Sequence, residues 1–230
     1  FQALHTVGAG HVAEAARDSG VTNMVQLSSI GADTDSESEY SRTKAAGEAA
    51  VLEAVPTADI VRPSIMFGPE DSFFNRFGAM TQYMPALPLI GGGEAKFQPA
   101  YAGDVAEAIA TIVGKGSRGE TYELGGPQTY SFKELMQFTL DVVDRKRMLA
   151  VVPWFAANML GFVGEVTGAL PFVKPFITRD QVANLRADNV VGEGVKTFAD
   201  FDITLETIES IVPDYMERYR KYGEFHEKRA

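Results

Sequence analysis

The 230-residue sequence contains no cysteine, three histidines and a single tryptophan. Without thiols there is no disulfide framework, no thiolate zinc site and no cysteine nucleophile. His5, His11 and His226 are too few for a histidine-rich metal centre. Basic residues are short relative to acidic ones, 21 against 31, giving a formal net charge of −10. A surface that negative repels phosphate backbones, and no basic patch is large enough to offset it, so no nucleic-acid partner is expected. The charge-free stretch 148–164 (MLAVVPWFAANMLGFVG) is too short for a comfortable membrane span and carries Pro153. No basic segment followed by an apolar one opens the chain, so no signal peptide is expected. The opening FQALHTVGAG reads as entry part-way into a fold. What remains is ordinary globular composition, 45% hydrophobic and 23% charged, enough for a sizeable core.

Helical and strand periods alternate along the first part of the chain. Residues 2–19 are rich in alanine, with Val7, Val12, Ala15 and Ala16 on one helix face and Gly20 placed as the stop. Residues 24–27 read as a short buried strand ending at the polar pair Ser28-Ser29. Residues 39–54 are helix formers, broken by Pro56 and Thr57, and 58–61 form a second strand stopped by Arg62-Pro63. Helix and strand recurring in steps of about 30 residues predict a parallel α/β sheet. Pro85, Pro88, Gly91-Gly92-Gly93 and Pro99 predict a long loop over 85–99. A helix opened by an Asp104 cap is predicted as far as Val113, then a strand over 121–124 and a Gly125-Gly126-Pro127 turn. Ser131 and Glu134 form a capping box for a helix to about Val143. The 148–164 run reads as a buried or subunit-facing helix pair. The alternative is an interfacial segment anchored by Trp154, Phe155 and Phe162. In the tail, Tyr215, Tyr219, Tyr222 and Phe225 fall on one helical stripe.

The chemistry sits in LSSIGAD (27–33) and EYSRTKAAGE (39–48). Tyr40 and Lys44 are four apart on a predicted helix and share a face. Ser29 ends the preceding strand, the end at which parallel sheets bind ligands. An ammonium beside a phenol favours the phenolate, which suits Tyr40 to acid–base work on a carbonyl or alcohol. Ser29 can hold the same oxygen, and Lys44 can reach ribose hydroxyls. Y-x-x-x-K alone arises often by chance; a Ser-Ser strand end upstream and Arg-Pro-Ser downstream make it more specific. In VRPSIMFGPED (61–71), Pro63 removes a backbone donor, and Ser64 with the amides of Ile65 and Met66 faces the same edge. That turn suits a carboxamide such as nicotinamide; a plain strand-to-loop turn is the other reading.

YSRTK, the Ser-Ser strand end, RPSIMFGPED and PAYAGDVAEAI resemble the extended, or atypical, short-chain dehydrogenase/reductase group of the NAD-dependent epimerase/dehydratase superfamily. IVRPSIMFGPEDSFFNRF, QPAYAGDVA, ITRDQVANLRADNVV and ESIVPDYMERYRKYGEF are most similar to its branch of nucleotide-binding accessory subunits of respiratory complex I and their bacterial relatives. The resemblance covers nearly the whole chain. It implies an α/β fold, a Rossmann-type parallel sheet flanked by helices, with a smaller, mostly helical C-terminal region. The family's first strands and glycine-rich loop are expected to precede Phe1. Residues 1–125 would be the later part of the NAD(P)-binding domain, and 126–230 a docking region. The implied cofactor is NADP(H) or NAD(H), contacted by Ser28, Ser29, Tyr40, Lys44, Pro63, Ser64 and Ile65. Ser29, Tyr40 and Lys44 would be the catalytic set if there is turnover; no metal is implied. The implied partners are complex I subunits. The implied location is the cytoplasmic or organelle matrix side, peripheral to the inner membrane, with 148–176 as the candidate membrane contact.

Two departures from the family pattern bear on function. Gly8-Ala9-Gly10-His11-Val12-Ala13 matches G-x-G-x-x-A, yet no good strand precedes it and the resemblance places it inside a helix. The interval from Ser29 to Tyr40 is short for the sugar-nucleotide epimerases of the group, leaving less room for a large substrate. Of the remaining residues, Asp104 reads as a helix cap, Arg179-Asp180 as a local ion pair or docking contact, His5 and His11 as surface residues, and Trp154 as core. Three functions stay open: a binding and structural subunit, a free oxidoreductase or epimerase, and a redox-sensing NADPH binder.

Overall fold

A computed structural model describes residues 1–168 and 177–223. A π-helical turn, Ala3–Gly8, runs into α1, Ala9–Asp18. Gly20, at φ 72°, ends it: the Gly20 and Val21 amides donate to the Arg17 and Ala16 carbonyls at 3.0 and 2.9 Å, the paired bonds of a left-handed helix stop. Then come β1, Val25–Leu27; α2, Glu39–Ala54; and β2, Asp59–Pro63. Short β3, Met66–Phe67, leads to α3, Phe74–Tyr83, and to β4, Ala86–Ile90. Next are β5, Lys96–Phe97; β6, Ala100–Tyr101; α4, Ala102–Lys115; and β7, Thr121–Leu124. The C-terminal part contributes β8, Tyr130–Ser131; α5, Phe132–Val142; β9, Met148–Val152; α6, Trp154–Gly168; α7, Arg179–Asn184; and α8, Ile208–Met216.

The site is organised by a three-stranded sheet in the order β1-β2-β7, parallel throughout, with Val25 opposite Asp59 and Ile60 opposite Thr121. Parallel neighbours need crossovers, and α2 and α4 supply them. On one face Val61, Tyr122 and Leu124 pack against Val105, Ala108 and Ile112 of α4. Side chains alternate along a strand, so Arg62 and Glu123 point the other way. There Arg62 meets Glu48 of α2 at 2.6 Å, which places α2 on the opposite face. Ala13 of α1 packs with Val51 and Ala54 of α2 in a core of their own. The π-helical turn lies on α2 so closely that a Cβ on Gly47 would stand 2.0 Å from the His5 carbonyl oxygen. The largest core joins Phe67, Phe74, Leu87 and Phe97 to Phe132, Leu135, Met136 and Ile208, drawing on both sides of residue 125.

Three expectations fail. The 85–99 segment is not a loop: β4 pairs in parallel with β9 over five residues, Ala86 opposite Met148 through Ile90 opposite Val152, and β5 pairs with β8. Pro88 is tolerated because β4 has β9 as its single strand neighbour among the described residues. Gly91, Gly92 and Gly93 end the strand at φ 59°, 81° and 74°; a Cβ on Gly91 would lie 2.1 Å from the Trp154 ring. The 148–164 run, expected as a buried or subunit-facing helix pair, is accordingly a strand followed by a helix. Trp154 packs inward on the core with Ile90, Ala157 and Val182, whereas Phe155 and Phe162 are exposed. Finally, Asp104 does not cap α4. Tyr101 is the cap residue, and the buried Asp104 carboxylate accepts the Glu206 amide at 2.9 Å, where burial raises its pKa. No helix among the described residues is long and apolar enough to cross a membrane. Of the tail stripe, Tyr215 donates to the Asp71 carboxylate and Tyr219 to Asn75 Oδ1 at 3.0 Å; Phe225, like residues 169–176 of the candidate membrane contact, lies outside the described residues.

Candidate active site

α2 begins at the C-terminal edge of the sheet because its amides are satisfied twice over. The Ser38 hydroxyl accepts the Ser41 N–H at 3.3 Å. Asp180, on α7, accepts the amides of Glu39 at 2.6 Å and Tyr40 at 3.4 Å. A carboxylate at a helix N-terminus also complements the helix dipole. Asp180 therefore makes a long-range cap, and Arg179 pairs with Glu165 at 2.7 Å.

Tyr40 and Ser29 line one cavity of about 540 Å³. Lys44 Nζ lies 5.8 Å from the Tyr40 ring centroid and donates to the Leu27 carbonyl at 3.3 Å, one residue before Ser28. Burial lowers the Lys44 pKa, with the Glu48 carboxylate opposing the shift. Ser28 Oγ and Ser29 Oγ are buried and have no hydrogen-bond partner among the described residues. Each such orphan costs about 1–3 kcal/mol unless a ligand satisfies it.

Pro63, Ser64 and Ile65 line the same cavity. Here the structure adds a residue that sequence reasoning missed. Asn189 Oδ1 accepts the Ser64 hydroxyl at 2.7 Å and the Ile65 amide at 3.1 Å, while Asn189 Nδ2 donates to the Ile30 carbonyl at 3.2 Å. A side-chain carboxamide thus already holds the groups expected to meet a nicotinamide carboxamide. His5 was missed as well. It is half-buried, packs edge-on to the Tyr40 ring at 5.3 Å and shares a hydrogen bond with Thr43 Oγ1 at 3.0 Å. Burial, then the Lys44 charge, lower its pKa. The signal for His5 was its four-residue spacing from Phe1, whose ring stacks on it at 5.2 Å; Asn189 lies in the ITRDQVANLRADNVV stretch, which marked a family branch but gave no contact with Ser64.

Among these groups Ser29 and Tyr40 share the cavity, and Lys44 and Ser28 lie on its strand-end side, outside the lining; such hydroxyls, a phenol and an ammonium are the kinds of group that could hold the nicotinamide–ribose end of a dinucleotide. Gly8 and Gly10 are not complementary to its phosphates. Gly8 sits at φ −62° and ψ −44°, inside continuous right-handed helix, so GAGHVA forms no loop of free amides.

A parallel α/β sheet with Ser, Tyr and Lys gathered where β1 and α2 meet defines a Rossmann-type protein of the short-chain dehydrogenase/reductase kind. The model of the NAD dependent epimerase/dehydratase family matches residues 1–125, and the chain belongs to that family. It is 36% identical over 225 residues to "NADH dehydrogenase [ubiquinone] 1 alpha subcomplex subunit 9, mitochondrial" of Arabidopsis thaliana, covering 93% of this chain and 56% of that protein. It is 29% identical to "NADH-ubiquinone oxidoreductase 40 kDa subunit, mitochondrial" of Neurospora crassa, covering 96% and 57%. The chain spans little more than half the length of these relatives. Among solved structures it is similar to dTDP-glucose 4,6-dehydratase of Bacillus anthracis in complex with NAD, with a TM-score of 0.59 and 19% identity, covering 80% of this chain and 66% of that one.

Proposed function

We propose that the protein is an NAD(P)(H)-binding, short-chain dehydrogenase/reductase-like accessory subunit of respiratory complex I with little turnover. The observation that carries the nucleotide reading is the pair of orphaned hydroxyls, Ser28 and Ser29, beside Tyr40 and Lys44 at the end of a parallel strand. In this reading Lys44 and Ser28 bind the ribose and carboxamide, Ser29 orients an oxygen, and Tyr40 holds or gives a proton at that oxygen. The nicotinamide supplies hydride chemistry when bound. Asn189 engages Ser64 and Ile65, so a nicotinamide carboxamide reaches that turn only by displacing or joining its side chain. Similarity over 93% and 96% of the chain to NADH–ubiquinone oxidoreductase subunits supports the partner. Residues 1–125 carry the side chains that would contact the nucleotide, and 126–230 supply the docking surface together with Asp180 and Asn189 of the site. The protein sits on the matrix or cytoplasmic side of the inner membrane, held peripherally. Complex I isolated from the source cell should contain this chain in stoichiometric amount; a complete, active complex without it overturns the assignment.

The second reading, a free NAD(P)-dependent oxidoreductase or epimerase, is favoured by one observation: Tyr40 and Ser29 open onto a common cavity. Tyr40→Phe should then cost about 10²–10⁴-fold in kcat, the worth of a general acid–base group. Equal turnover in the variant and the wild type dismisses this mechanism.

A further inference from the structure

The cavity that Tyr40 and Ser29 enter continues away from them into a chamber built from α3, β4 and the start of α5. Its far wall is a packed group of rings: Phe73 lies 5.1 Å from Phe77, 6.3 Å from Phe97 and 6.1 Å from Phe132, centroid to centroid. Met80 and Ile90 extend that wall. At about 540 Å³ the cavity has room for a drug-sized ligand. Its charges do not suit a diphosphate. The described lining holds two carboxylates, Asp33 and Asp188, against one guanidinium, Arg76. A sugar nucleotide brings two negative charges to a site of this kind and needs several cations or amides to hold them. The polar end offers Ser29 Oγ, buried and lacking a partner among the described residues, within a cavity that Tyr40 also lines.

We propose that this cavity takes a neutral amphiphile, a ketone or secondary alcohol bearing a hydrocarbon chain, with its oxygen at Ser29 and Tyr40 and its chain against Phe73, Phe77 and Met80. This rests on the reading of Ser29 and Tyr40 as the reactive end of a nucleotide-dependent site and names the class of ligand for it. The apolar wall selects by chain length, since each methylene moved from water into the chamber tightens binding about fourfold, ~0.8 kcal/mol.

The test is calorimetry of the full-length protein with methyl ketones whose alkyl chains run from butyl to decyl, with dTDP-glucose as the comparator and NADPH titrated separately. The expected result is affinity rising about fourfold per methylene until the chamber fills, and no binding of dTDP-glucose. Phe77→Ser should flatten the chain-length dependence while leaving NADPH affinity unchanged. Met80→Gln, a gentler change of similar size, should weaken the decyl ketone more than the butyl one. Affinity independent of chain length, or dTDP-glucose displacing the ketones, overturns the proposal. Ketone binding without NADPH binding overturns the nucleotide reading and leaves this one standing; NADPH binding without ketone binding does the reverse.

Discussion

Arg62 sits where the sheet, α2 and the site scaffold meet. Its Nε and one terminal nitrogen donate to the two oxygens of Glu48 at 2.9 and 2.6 Å, and its other nitrogen lies 3.6 Å from Glu123. The bond to Glu48 is the first cause of its raised pKa. Glu48 is 9% exposed, so deleting it strands a half-buried guanidinium that keeps only the longer contact. Glu48→Ala should therefore cost about 3 kcal/mol in urea unfolding, and Glu48→Gln clearly less. Equal stability of Glu48→Ala and wild type would show that water replaces the pair without cost. Legibility at this scale follows sequence separation. Tyr40 and Lys44 share a helix face and could be paired from a spacing of four. Asn189 holds Ser64 across 125 residues, a distance at which no period connects them. His5 looked like a surface residue because its partner, Thr43, is 38 residues away on another helix.

Elements were legible where local chemistry decides them and illegible where a distant partner does. The Ser131–Glu134 box shows the first case. Ser131 Oγ accepts the Glu134 amide at 3.1 Å, and the Glu134 carboxylate accepts the Ser131 amide at 2.6 Å, opening α5 where the sequence placed it. β4 shows the second. Its prolines and the glycines after it read as a loop, and pairing with a strand some sixty residues away overrides them. The same pairing turns the first five residues of the charge-free run into β9. The capping box also makes a pH prediction. The Ser131 amide, then the Ser131 hydroxyl, hold the Glu134 carboxyl below the ordinary glutamate value. A depressed folded-state pKa contributes stability that is complete above the unfolded value and is lost as pH falls through the folded one. The gap in melting temperature between wild type and Glu134→Gln should therefore be widest at neutral pH and close in acid. A gap that stays constant across that range assigns the box to geometry alone.

At the scale of the whole molecule, the fold class could be read from the alternation of periods. The sharing of the largest core between residues 67–97 and 132–216 could not, because each contributor looks like an ordinary apolar position in its own element. The same ambiguity applies to the outer face of β9 and α6. Apolar residues without charge suggested burial, yet Phe155 is 71%, Met159 67% and Met148 72% exposed. Large apolar side chains gathered on adjacent elements of an acidic protein are a costly surface unless something covers them. The guanidiniums of Arg179 and Arg186 lie over the Phe162 and Trp154 rings at 5.3 and 5.2 Å, at the rim of this face. If this face is the docking surface of the proposed complex, a net charge of −10 opposes attraction to an anionic membrane, and apolar contact is the term that favours it. Replacing Phe155, Met159 and Phe162 together by Gln should change stability by less than about 0.5 kcal/mol per site, because exposed side chains lose little packing. The same variant should no longer sediment with inner-membrane particles containing complex I, whereas the wild type should, and raising the salt should not release it, since screening weakens charge attraction and leaves apolar burial intact. Release of the wild type by salt, or full retention of the triple variant, would place the docking surface elsewhere on the molecule.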